Sequence, residues 1–419
     1  MTIAFRTLRA TGALLVLLLC ALPVCAQNRP NALDLRIDAM SPQQLLASPA
    51  SALVDSDRQG AAGRYVGWRI PGFLLTFAIP IGALAYFWRS GGASALRDRL
   101  RRSFRSEFGV RCFFGAILAA IAGFATLIPQ FYLYRVERVM GISRQPWPAW
   151  ALSWLATLAA VMVAVGVMCA IVLWLADRTH QWYLYAMLGI ALGAMLYSYA
   201  TPLLIAPFFN HVESLAPTIA SPLYALEVKA GIPNVPIVAA DWPRPSPAQG
   251  AFVSGLGPSQ RIVLSDSLVR SESPGETAFF AARAIEHDVD GDQFRRCLIA
   301  VLIIIIAMAL AVTIADRVGF RRDDDPVSRL ALVGALLGCA YLVAFPIYLS
   351  YVRGGEARVD KTAIALTGDR ASAVRAMVRR ADERIEELCP NTFAMLYFSP
   401  APAIATRIAT FNDTPDPCR

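Results

Sequence analysis

The stretch from Arg283 to Ala315 reads RAIEHDVDGDQFRRCLIAVLIIIIAMALAVTIA and joins two kinds of sequence. Its second part, Cys297–Ala315, contains no charged residue and approaches the roughly 20 apolar residues that a helix needs to cross a bilayer. Its first part is rich in charged side chains and contains His287. The stretch therefore predicts a polar helix that leads into a transmembrane helix.

The composition of the whole chain agrees with a membrane protein. Of its 419 residues, 56% are hydrophobic and 17% are charged, and the mean hydropathy is +0.48. A soluble domain carries about 25% charged residues. Six stretches have the length and apolar character of membrane spans, and they are Pro71–Trp88, Phe113–Leu133, Trp150–Ala176, Trp182–Phe209, Cys297–Ala315 and Ser328–Val352.

The N-terminus has the pattern of a secretory signal peptide. Arg6 and Arg9 precede the apolar run GALLVLLLCALPVCA, and small residues stand near its end. Cleavage is expected after Ala26, and the alternative is that residues 1–26 remain as a seventh transmembrane helix. An extramembrane segment, residues 27–70, follows in either case.

Arginine supplies almost all of the positive charge, since Lys229 and Lys361 are the only lysines in a chain of formal charge +8. Seven arginines fall in the loop Arg89–Arg111, which indicates that this loop faces the cytoplasm. Alternation of the spans then puts residues 210–296 and the C-terminus outside. The cluster lies in a short loop between two apolar spans and does not form the aromatic-interleaved basic face that nucleic acids need, which argues against nucleic acid as a partner.

The cysteines do not form a disulfide framework. Six of the eight lie in the signal segment or in and beside membrane spans: Cys20, Cys25, Cys112, Cys169, Cys297 and Cys339. Cys389 and Cys418 are free to pair outside the membrane if that end lies in an oxidising compartment. There is no CxxC motif, so a cysteine-based zinc site is not expected.

The segment between the fourth and fifth spans, residues 210–296, is not membrane-like. In GAFVSGLGPSQRIVLSDSLV, two β-rich runs flank the turn sequence GLGPSQ and predict a β-hairpin. Ser273 and Pro274 then suit the N-cap and first position of a helix. After the last span, Glu356–Glu387 has a strongly helical sequence. The predicted regions are 1–26, 27–70, a four-span membrane region 71–209, a soluble domain 210–296, two spans 297–352, and a C-terminal helical part with its tail, 353–419.

Positions His287 to Gly291 have the frame of a His-Glu-x-x-His helix. Residues four apart share a helix face, so two histidines with that spacing can bind one zinc ion while the Glu acts as general base. A third ligand comes from a later helix, and one position stays open for water. Here the frame reads His287, Asp288, Val289, Asp290, Gly291, with one histidine instead of two and Asp at the place of Glu.

From the first span to the tail, the chain resembles the type I CAAX prenyl protease family of multi-span zinc metalloproteases. The similar stretches occur in the family's order: PLLIAPFFN (202–210), the hairpin sequence (250–269), EARVD (356–360) and FSPAPAIATRI (398–408). The implied fold is a mainly α-helical integral membrane protein of six to seven transmembrane helices. A small α+β metalloprotease-like domain is split by the last two spans and, by resemblance, faces the cytoplasm. That orientation is opposite to the one the arginine-rich loop indicates, and both stay open.

The resemblance also assigns roles in the site. His287 and Glu356 stand at metal-ligand positions, with core histidine and solvated helix charge as their respective alternatives. Asp288 stands at the general-base position, and Asp360 corresponds to the residue that orients the first histidine. Gly291 supplies no ligand, and Asp290, at i+3 from His287, is the possible substitute.

The substrate-binding positions show a similar mixture of retained and lost residues. Ala251, Phe252 and Arg407 match the family pattern. Gly250 replaces an Asn that holds the substrate backbone, and Ala401 replaces a His that helps to stabilise the transition state.

Zinc is the cofactor that the resemblance implies, and these losses predict that it is bound weakly or not at all. A His/Asp/Glu ligand set is rich in oxygen and favours harder ions over a tetrahedral zinc site. Asp292 is a further nearby carboxylate. The other histidines are His180, in a short loop between spans, and His211, after the fourth span.

Three functions remain open at this stage. The favoured one is a catalytically impaired or inactive pseudoprotease that binds peptide or membrane-protein clients. The first alternative is an active metalloendopeptidase with an atypical site built from His287, Glu356 and an aspartate. The second is a lipid-handling or transport chamber. Membrane lipids are expected partners in all three, and the expected location is a bacterial inner membrane.

Overall fold

Long apolar helices dominate the protein, whose computed structural model describes residues 32–143, 145–179, 181–205, 211–232, 235–241, 250–319 and 325–418. Six helices in this described part are long and apolar enough to cross a membrane, and they match the six predicted spans, which are thereby confirmed. The last of them has 42 residues. At 1.5 Å per residue it is about 60 Å long, roughly twice a bilayer's hydrocarbon core. Its C-terminal part, from about Glu356, is therefore free to carry polar side chains beyond the span.

The helices and strands succeed one another along the chain with definite bounds. They are α1 (Ala32–Ala39), α2 (Pro42–Ala47), α3 (Ala50–Leu53), α4 (Ser56–Arg89), α5 (Gly92–Ser103), α6 (Glu107–Val139), α7 (Trp147–Arg178), α8 (Trp182–Ala200), β1 (His211–Ser214), α9 (Pro217–Ala230), β2 (Ile237–Asp241), β3 (Ala251–Ser254), β4 (Arg261–Ser265), α10 (Asp266–Ser271), α11 (Pro274–Val289), α12 (Asp292–Gly319), α13 (Pro326–Thr367), α14 (Arg370–Arg384), α15 (Thr392–Tyr397) and α16 (Ile404–Asn412).

The chain divides into two compact units. The first contains residues 67–189 and 303–344, which form most of the membrane region. Within it, α6 and α7 approach closely at glycines, as membrane helices commonly do. A Cβ atom placed on Gly166 would come within 2.6 Å of the carbonyl oxygen of Cys112, and one on Gly123 within 2.3 Å of a Leu158 methyl group.

The second unit contains residues 28–66, 190–302 and 345–419, and it includes the sheet. The strand order is β1-β2-β4-β3, with β2 and β4 parallel and the two outer pairs antiparallel. The predicted hairpin is confirmed as β3 and β4, in which Ala251 is paired with Leu264 and Ser254 with Arg261. β3 therefore forms one edge of the sheet.

Helix α11 is the centre of the second unit's core. Phe279, Phe280 and Ile285 on this helix are at most 2% exposed and pack with Met377 of α14 and Phe411 of α16. Four buried residues that precede the first span join the same core: Ile37, Leu45, Ala50 and Leu53. The segments before the first span and after the last one thus fold together.

The start of α11 follows the prediction. Ser273 caps the helix by accepting a hydrogen bond from the backbone N–H of Glu276, and the Glu276 side chain accepts one from the backbone of Ser273. Pro274 occupies the first helical position.

Some of the predicted features fall outside the described residues. They are the signal segment 1–26, His180 and the end of the PLLIAPFFN stretch. The predicted pair Cys389 and Cys418 is joined in a disulfide.

Candidate metal site and its arginine network

Helix α11 ends before it can present a second ligand. Its last residue is Val289, Asp290 forms the C-cap, and Gly291 has φ +62°, in the left-handed region. The relation between residues four apart on one helix face requires a continuous helix. His287 and Gly291 therefore do not share a helix face in this structure.

His287 lies between two carboxylates. Its Nδ1 is 2.9 Å from Oδ2 of Asp292, and its Nε2 is 3.3 Å from Oε1 of Glu356. The His287 side chain is 17% exposed and that of Asp292 is 4% exposed. A carboxylate on one ring nitrogen is the arrangement that orients metal-bound histidines. Asp292, the first residue of α12, holds the ring in this way.

Both carboxylate oxygens of Glu356 face arginines. Arg296 Nη2 donates to Oε1 at 2.9 Å, and Arg283 Nη2 donates to Oε2. Arg296 also lies 3.4 Å from Asp292, and Arg283 is almost buried, with 8% of its side chain exposed. The two guanidinium groups compensate the negative charge of this carboxylate.

Asp360, one helical turn after Glu356, completes a buried ion-pair chain. Arg283 Nε donates to its Oδ1 at 2.8 Å, and Arg407 donates to both of its oxygens, at 2.7 and 2.8 Å. The side chains of Asp360 and Arg407 are 2% and 1% exposed. The resemblance gave Asp360 the role of orienting His287, but in the structure Asp360 holds two arginines and Asp292 holds the histidine. Arg407, assigned to substrate, braces Asp360 from the core.

Asp288, to which the resemblance assigned the general-base position, accepts a hydrogen bond from a side-chain amide. Gln260 Nε2, in the turn before β4, donates to Asp288 Oδ1. Burial raises the pKa of Asp288 above its ordinary value. Glu227 of α9, which is fully buried, interacts electrostatically with Asp288, and burial raises the pKa of Glu227 to about 7.

Asp290, the possible substitute ligand, points to a different partner. Its Oδ2 is 3.6 Å from Nη2 of Arg358, and 37% of its side chain is exposed. The same Arg358 lies 3.7 Å from Asp292 Oδ1. Asp290 is therefore part of an exposed ion pair at the end of α11.

The donor set does not fit catalytic zinc, which takes three protein ligands and keeps one open position. His287 and Glu356 supply two donors close to each other, and Gly291 supplies none. The described residues contain no group of three or more His, Cys, Asp and Glu arranged to hold a metal ion. Arg296, bonded to the same Glu356 oxygen that faces His287, adds a cation that would repel a metal at this point.

Three positions that the resemblance assigned to substrate, Gly250, Ala251 and Phe252, lie at the edge of the sheet beside α11. Gly250 accepts a backbone hydrogen bond from Ser265 at 3.0 Å, and a Cβ on Gly250 would meet nothing within 4 Å. Ala251 and Phe252 belong to β3. Ala401 lies in the turn before α16. The edge strand β3 thus lies beside α11, the helix that carries His287 and Asp288.

Three residues of the site were not predicted from the sequence: Arg283, Arg296 and Gln260. For Arg283 a signal was present. It stands four residues before His287, on the same helix face, within the otherwise apolar run AFFAARAI. A charged side chain in such a run needs a partner of opposite charge in the protein interior. For Arg283, a carboxylate on a later helix could supply that partner.

Comparisons with known proteins agree with the resemblance. Two family models match in succession, covering well over half of the chain. They are the CAAX prenyl protease N-terminal region, described as five membrane helices, at residues 71–211, and peptidase family M48 at residues 214–414.

A curated protein and a solved structure are also similar to this chain. An uncharacterized metalloprotease of Bacillus subtilis (strain 168), YhfN, is 22% identical over 378 residues, which cover 86% of this chain and 87% of that protein. The crystal structure of S. mikatae Ste24p matches with a TM-score of 0.74 and 18% identity, and the match covers 92% of this chain and 100% of that one. At this identity the structural match establishes the fold.

Proposed function

The chain belongs to peptidase family M48 of membrane metalloproteases, and we propose that it is a pseudoprotease of that family, which binds extended peptide segments of client proteins without hydrolysing them. Its proposed location is a bacterial inner membrane, in keeping with the similarity to a Bacillus protein and with the six apolar helices. The family is zinc-dependent in general. In the proposed pseudoprotease, this chain does not bind a catalytic zinc ion.

The observation that carries the proposal is the contact of Glu356 with two arginines. A catalytic zinc ion needs the free electron pairs of its carboxylate ligand. Here Arg296 and Arg283 each take one oxygen of Glu356. Displacing them would leave two arginine charges next to a divalent ion and would open a largely buried network.

The end of α11 supports the same conclusion independently. A second histidine ligand needs a helical position 291, and the left-handed Gly291 lies outside the helix. The chain thus lacks both a histidine at position 291 and the helical turn that would present one. A reverting substitution at one position would therefore not restore the site.

Client binding is supported by the edge position of β3. An extended peptide can add to a sheet edge by main-chain hydrogen bonds. Gly250 and Ser265 form a hydrogen-bonded pair, and such pairs alternate with outward-facing ones along an antiparallel ladder. By that alternation the backbone groups of Ala251 and Val253 face away from β4, toward the position that an added strand would take.

An active metalloendopeptidase is the second candidate, and one distance favours it. His287 Nε2 and Glu356 Oε1 are 3.3 Å apart. Two ligands of a tetrahedral zinc ion, each about 2.0–2.1 Å from the metal, are also separated by about 3.3 Å. This candidate requires Arg296 to leave Glu356 when metal arrives, and Asp288 to act as general base.

The proposal is tested with detergent-purified full-length protein and a library of unstructured fluorescent peptides. Binding is followed by fluorescence anisotropy and cleavage by mass spectrometry, with and without added zinc and chelator. We expect saturable binding by some peptides and no cleavage under either condition. Cleavage that a chelator abolishes, zinc restores and His287→Ala lacks would contradict the pseudoprotease and support the second candidate.

A further inference from the structure

We infer that the described extramembrane parts of the second unit, residues 32–55, 211–291 and 356–418, face the oxidising, extracytoplasmic side of the membrane, where a Cys389–Cys418 disulfide locks the C-terminal tail. This inference goes beyond the proposed function, since it holds whether or not the protein cleaves peptides. It also narrows the clients to segments that are exposed outside the cytoplasm.

The first observation is the distribution of cysteines. Cys389 and Cys418 are bonded to each other, with Cα atoms 5.4 Å apart. The free cysteines of the described residues all lie in the apolar helices α6, α7, α12 and α13: Cys112, Cys169, Cys297 and Cys339. The pair outside the membrane is thus the pair that is bonded. Disulfides of this kind persist in extracytoplasmic compartments and are rare in the cytosol.

The disulfide encloses the helix that braces the site. Between its two cysteines lie α15 and α16, and α16 carries Arg407, the partner of Asp360. The same tail is tied down by a hydrogen bond from Thr406 to Asp416 at 2.9 Å and by the backbone bond from Ala405 to Leu388 at 3.1 Å. The disulfide therefore fixes the tail against the segment that follows α14. In this position Arg407 contacts Asp360.

The second observation is that the segment before the first span folds with the segment after the last. Ile37, Leu45 and Leu53, before α4, lie in one core with Met377 and Phe411. Gln59, in the first turn of α4 and before its apolar part, donates to the carbonyl of Glu386 at 3.1 Å, and its side-chain oxygen accepts from the N–H of Leu388 at 2.9 Å. Arg58 and Asp382 form an ion pair. Two segments that pack together in water lie on one side of the membrane, which requires an even number of spans between them. The six candidate spans found among the described residues satisfy this condition.

The third observation assigns that side. One span separates the segment before α4 from the loop Arg89–Arg111, which includes α5 and carries seven arginines. Short loops with an excess of arginine stay in the cytoplasm, so the segment before α4 lies outside. A secretory signal at residues 1–26 would also deliver this segment to the outside. The resemblance to prenyl proteases implies the opposite orientation.

Formation of the bond requires an oxidant outside the cytoplasm. Each thiol loses one hydrogen, so two protons and two electrons leave the pair. The acceptor that we propose is a protein disulfide oxidant, which reacts by thiol–disulfide exchange through a mixed disulfide and leaves as a dithiol. The electrons and protons are thereby balanced by the reduction of one disulfide to two thiols.

The test uses the full-length protein in bacterial cells. Cells are quenched with acid, and the denatured protein is treated with a PEG-maleimide, with and without prior reduction. The tested chain keeps Cys389 and Cys418 and has Ser at the other cysteines, and Cys389→Ser/Cys418→Ser in that background is the matched control. We expect a mobility shift of two PEG adducts only after reduction, and none in the control.

Reporter fusions test the orientation separately. Alkaline phosphatase, which is active outside the cytoplasm, and a green fluorescent protein, which fluoresces inside, are each fused after Arg419 and, for comparison, after Ser103 in the arginine-rich loop. We expect the phosphatase to be active only after Arg419 and fluorescence only after Ser103. Free thiols without reduction, or fluorescence of the fusion after Arg419, would overturn the inference. Neither result depends on peptide binding or cleavage. Failure of this inference would therefore leave the proposed function untested and unchanged, and failure of the proposed function would leave this inference unchanged.

Discussion

The Nη2 atom of Arg296 lies 2.9 Å from Oε1 of Glu356, on the same oxygen that lies 3.3 Å from Nε2 of His287. A guanidinium group thus lies beside the two side chains to which the resemblance assigned metal-ligand positions. Together with Arg283 on the other oxygen, it compensates the negative charge of Glu356. The resulting network links α11, α12 and α13 by ion pairs.

The first prediction concerns the stability of this network. Replacing Arg283 by Met removes the partner of both Glu356 and Asp360, which leaves two mostly buried carboxylates short of charge compensation. We expect a loss of about 3 kcal/mol in the free energy of unfolding, measured as a lower melting temperature in detergent. Arg358→Met is the matched control, since Arg358 is 56% exposed and its nearest carboxylates are 3.6 Å or more away. Equal effects of the two substitutions would contradict the assigned role of Arg283.

The second prediction concerns reconstruction of the zinc motif. The variant Asp288→Glu/Gly291→His restores the letters His-Glu-x-x-His but not the helix, because Gly291 is left-handed. We expect no stoichiometric zinc, and a cost of about 1 kcal/mol for a side chain in that backbone conformation. Elemental analysis and thermal melting measure both.

Gly250→Asn is the control for the effect of adding a side chain. A Cβ at Gly250 meets nothing within 4 Å, so this variant is expected to melt near the wild-type temperature.

Tight zinc binding by Asp288→Glu/Gly291→His would contradict the second prediction. It would mean that α11 extends readily through position 291.

The third prediction concerns pH. Burial is the main cause that raises the pKa of Glu227 from 4.5 to about 7. A carboxyl group with a raised folded pKa binds its proton more tightly in the folded state. Below about pH 4.5 the carboxyl group is protonated in both the folded and the unfolded state, so it does not change the free energy of unfolding. Between about pH 4.5 and 7 it ionises in the unfolded state while it stays protonated in the folded state. The free energy of unfolding therefore falls over this range, by on the order of 2 kcal/mol.

Glu227→Gln is expected to remove this part of the pH dependence and to raise the melting temperature at pH 8 relative to the wild type. The exposed Glu213 offers a matched control as Glu213→Gln. Melting temperatures are measured from pH 4.5 to 8. A wild-type slope that Glu227→Gln leaves unchanged would show that Glu227 is not the group responsible.

The fourth prediction concerns the edge strand. Val253→Pro removes a backbone N–H that faces away from β4, and edge strands tolerate proline on that side. We expect peptide affinity to fall at least several-fold, since a main-chain hydrogen bond contributes about 1 kcal/mol. The melting temperature is expected to fall less than in a variant that also loses a hydrogen bond to β4, the remaining decrease reflecting the packing of Val253 against the core.

Phe252→Pro is the companion variant. The alternation of the ladder directs the N–H of Phe252 toward Val263 of β4. This variant is expected to lower the melting temperature as well as binding. Unchanged peptide affinity in Val253→Pro would place the client elsewhere.

The sequence predicted the membrane helices and the hairpin because those signals are local. An uninterrupted apolar run such as Cys297–Ala315 determines a span by its length, and GLGPSQ between β-rich runs determines a turn. The N-cap of α11 was predictable for the same reason, since Ser273, Pro274 and Glu276 lie within one turn.

The contacts of the site could not be predicted in the same way. Arg283 and Asp360 are separated by 77 positions, and only the packing of α11 against α13 brings them together. The frame of the zinc motif suggested that Gly291 is a helical position without a ligand. The structure shows instead that Gly291 is the residue at which the chain leaves the helix, a property of the backbone that a motif does not contain.

The measurement that tests the central claim most directly is the metal content of the purified protein. Wild type and His287→Ala are prepared in detergent without chelators and assayed by elemental analysis. An M48 protein with an intact His-Glu-x-x-His motif is purified in parallel to detect loss of zinc during preparation. The account predicts no stoichiometric divalent metal in either form of this protein. One metal ion per chain in the wild type, absent from His287→Ala, would contradict it.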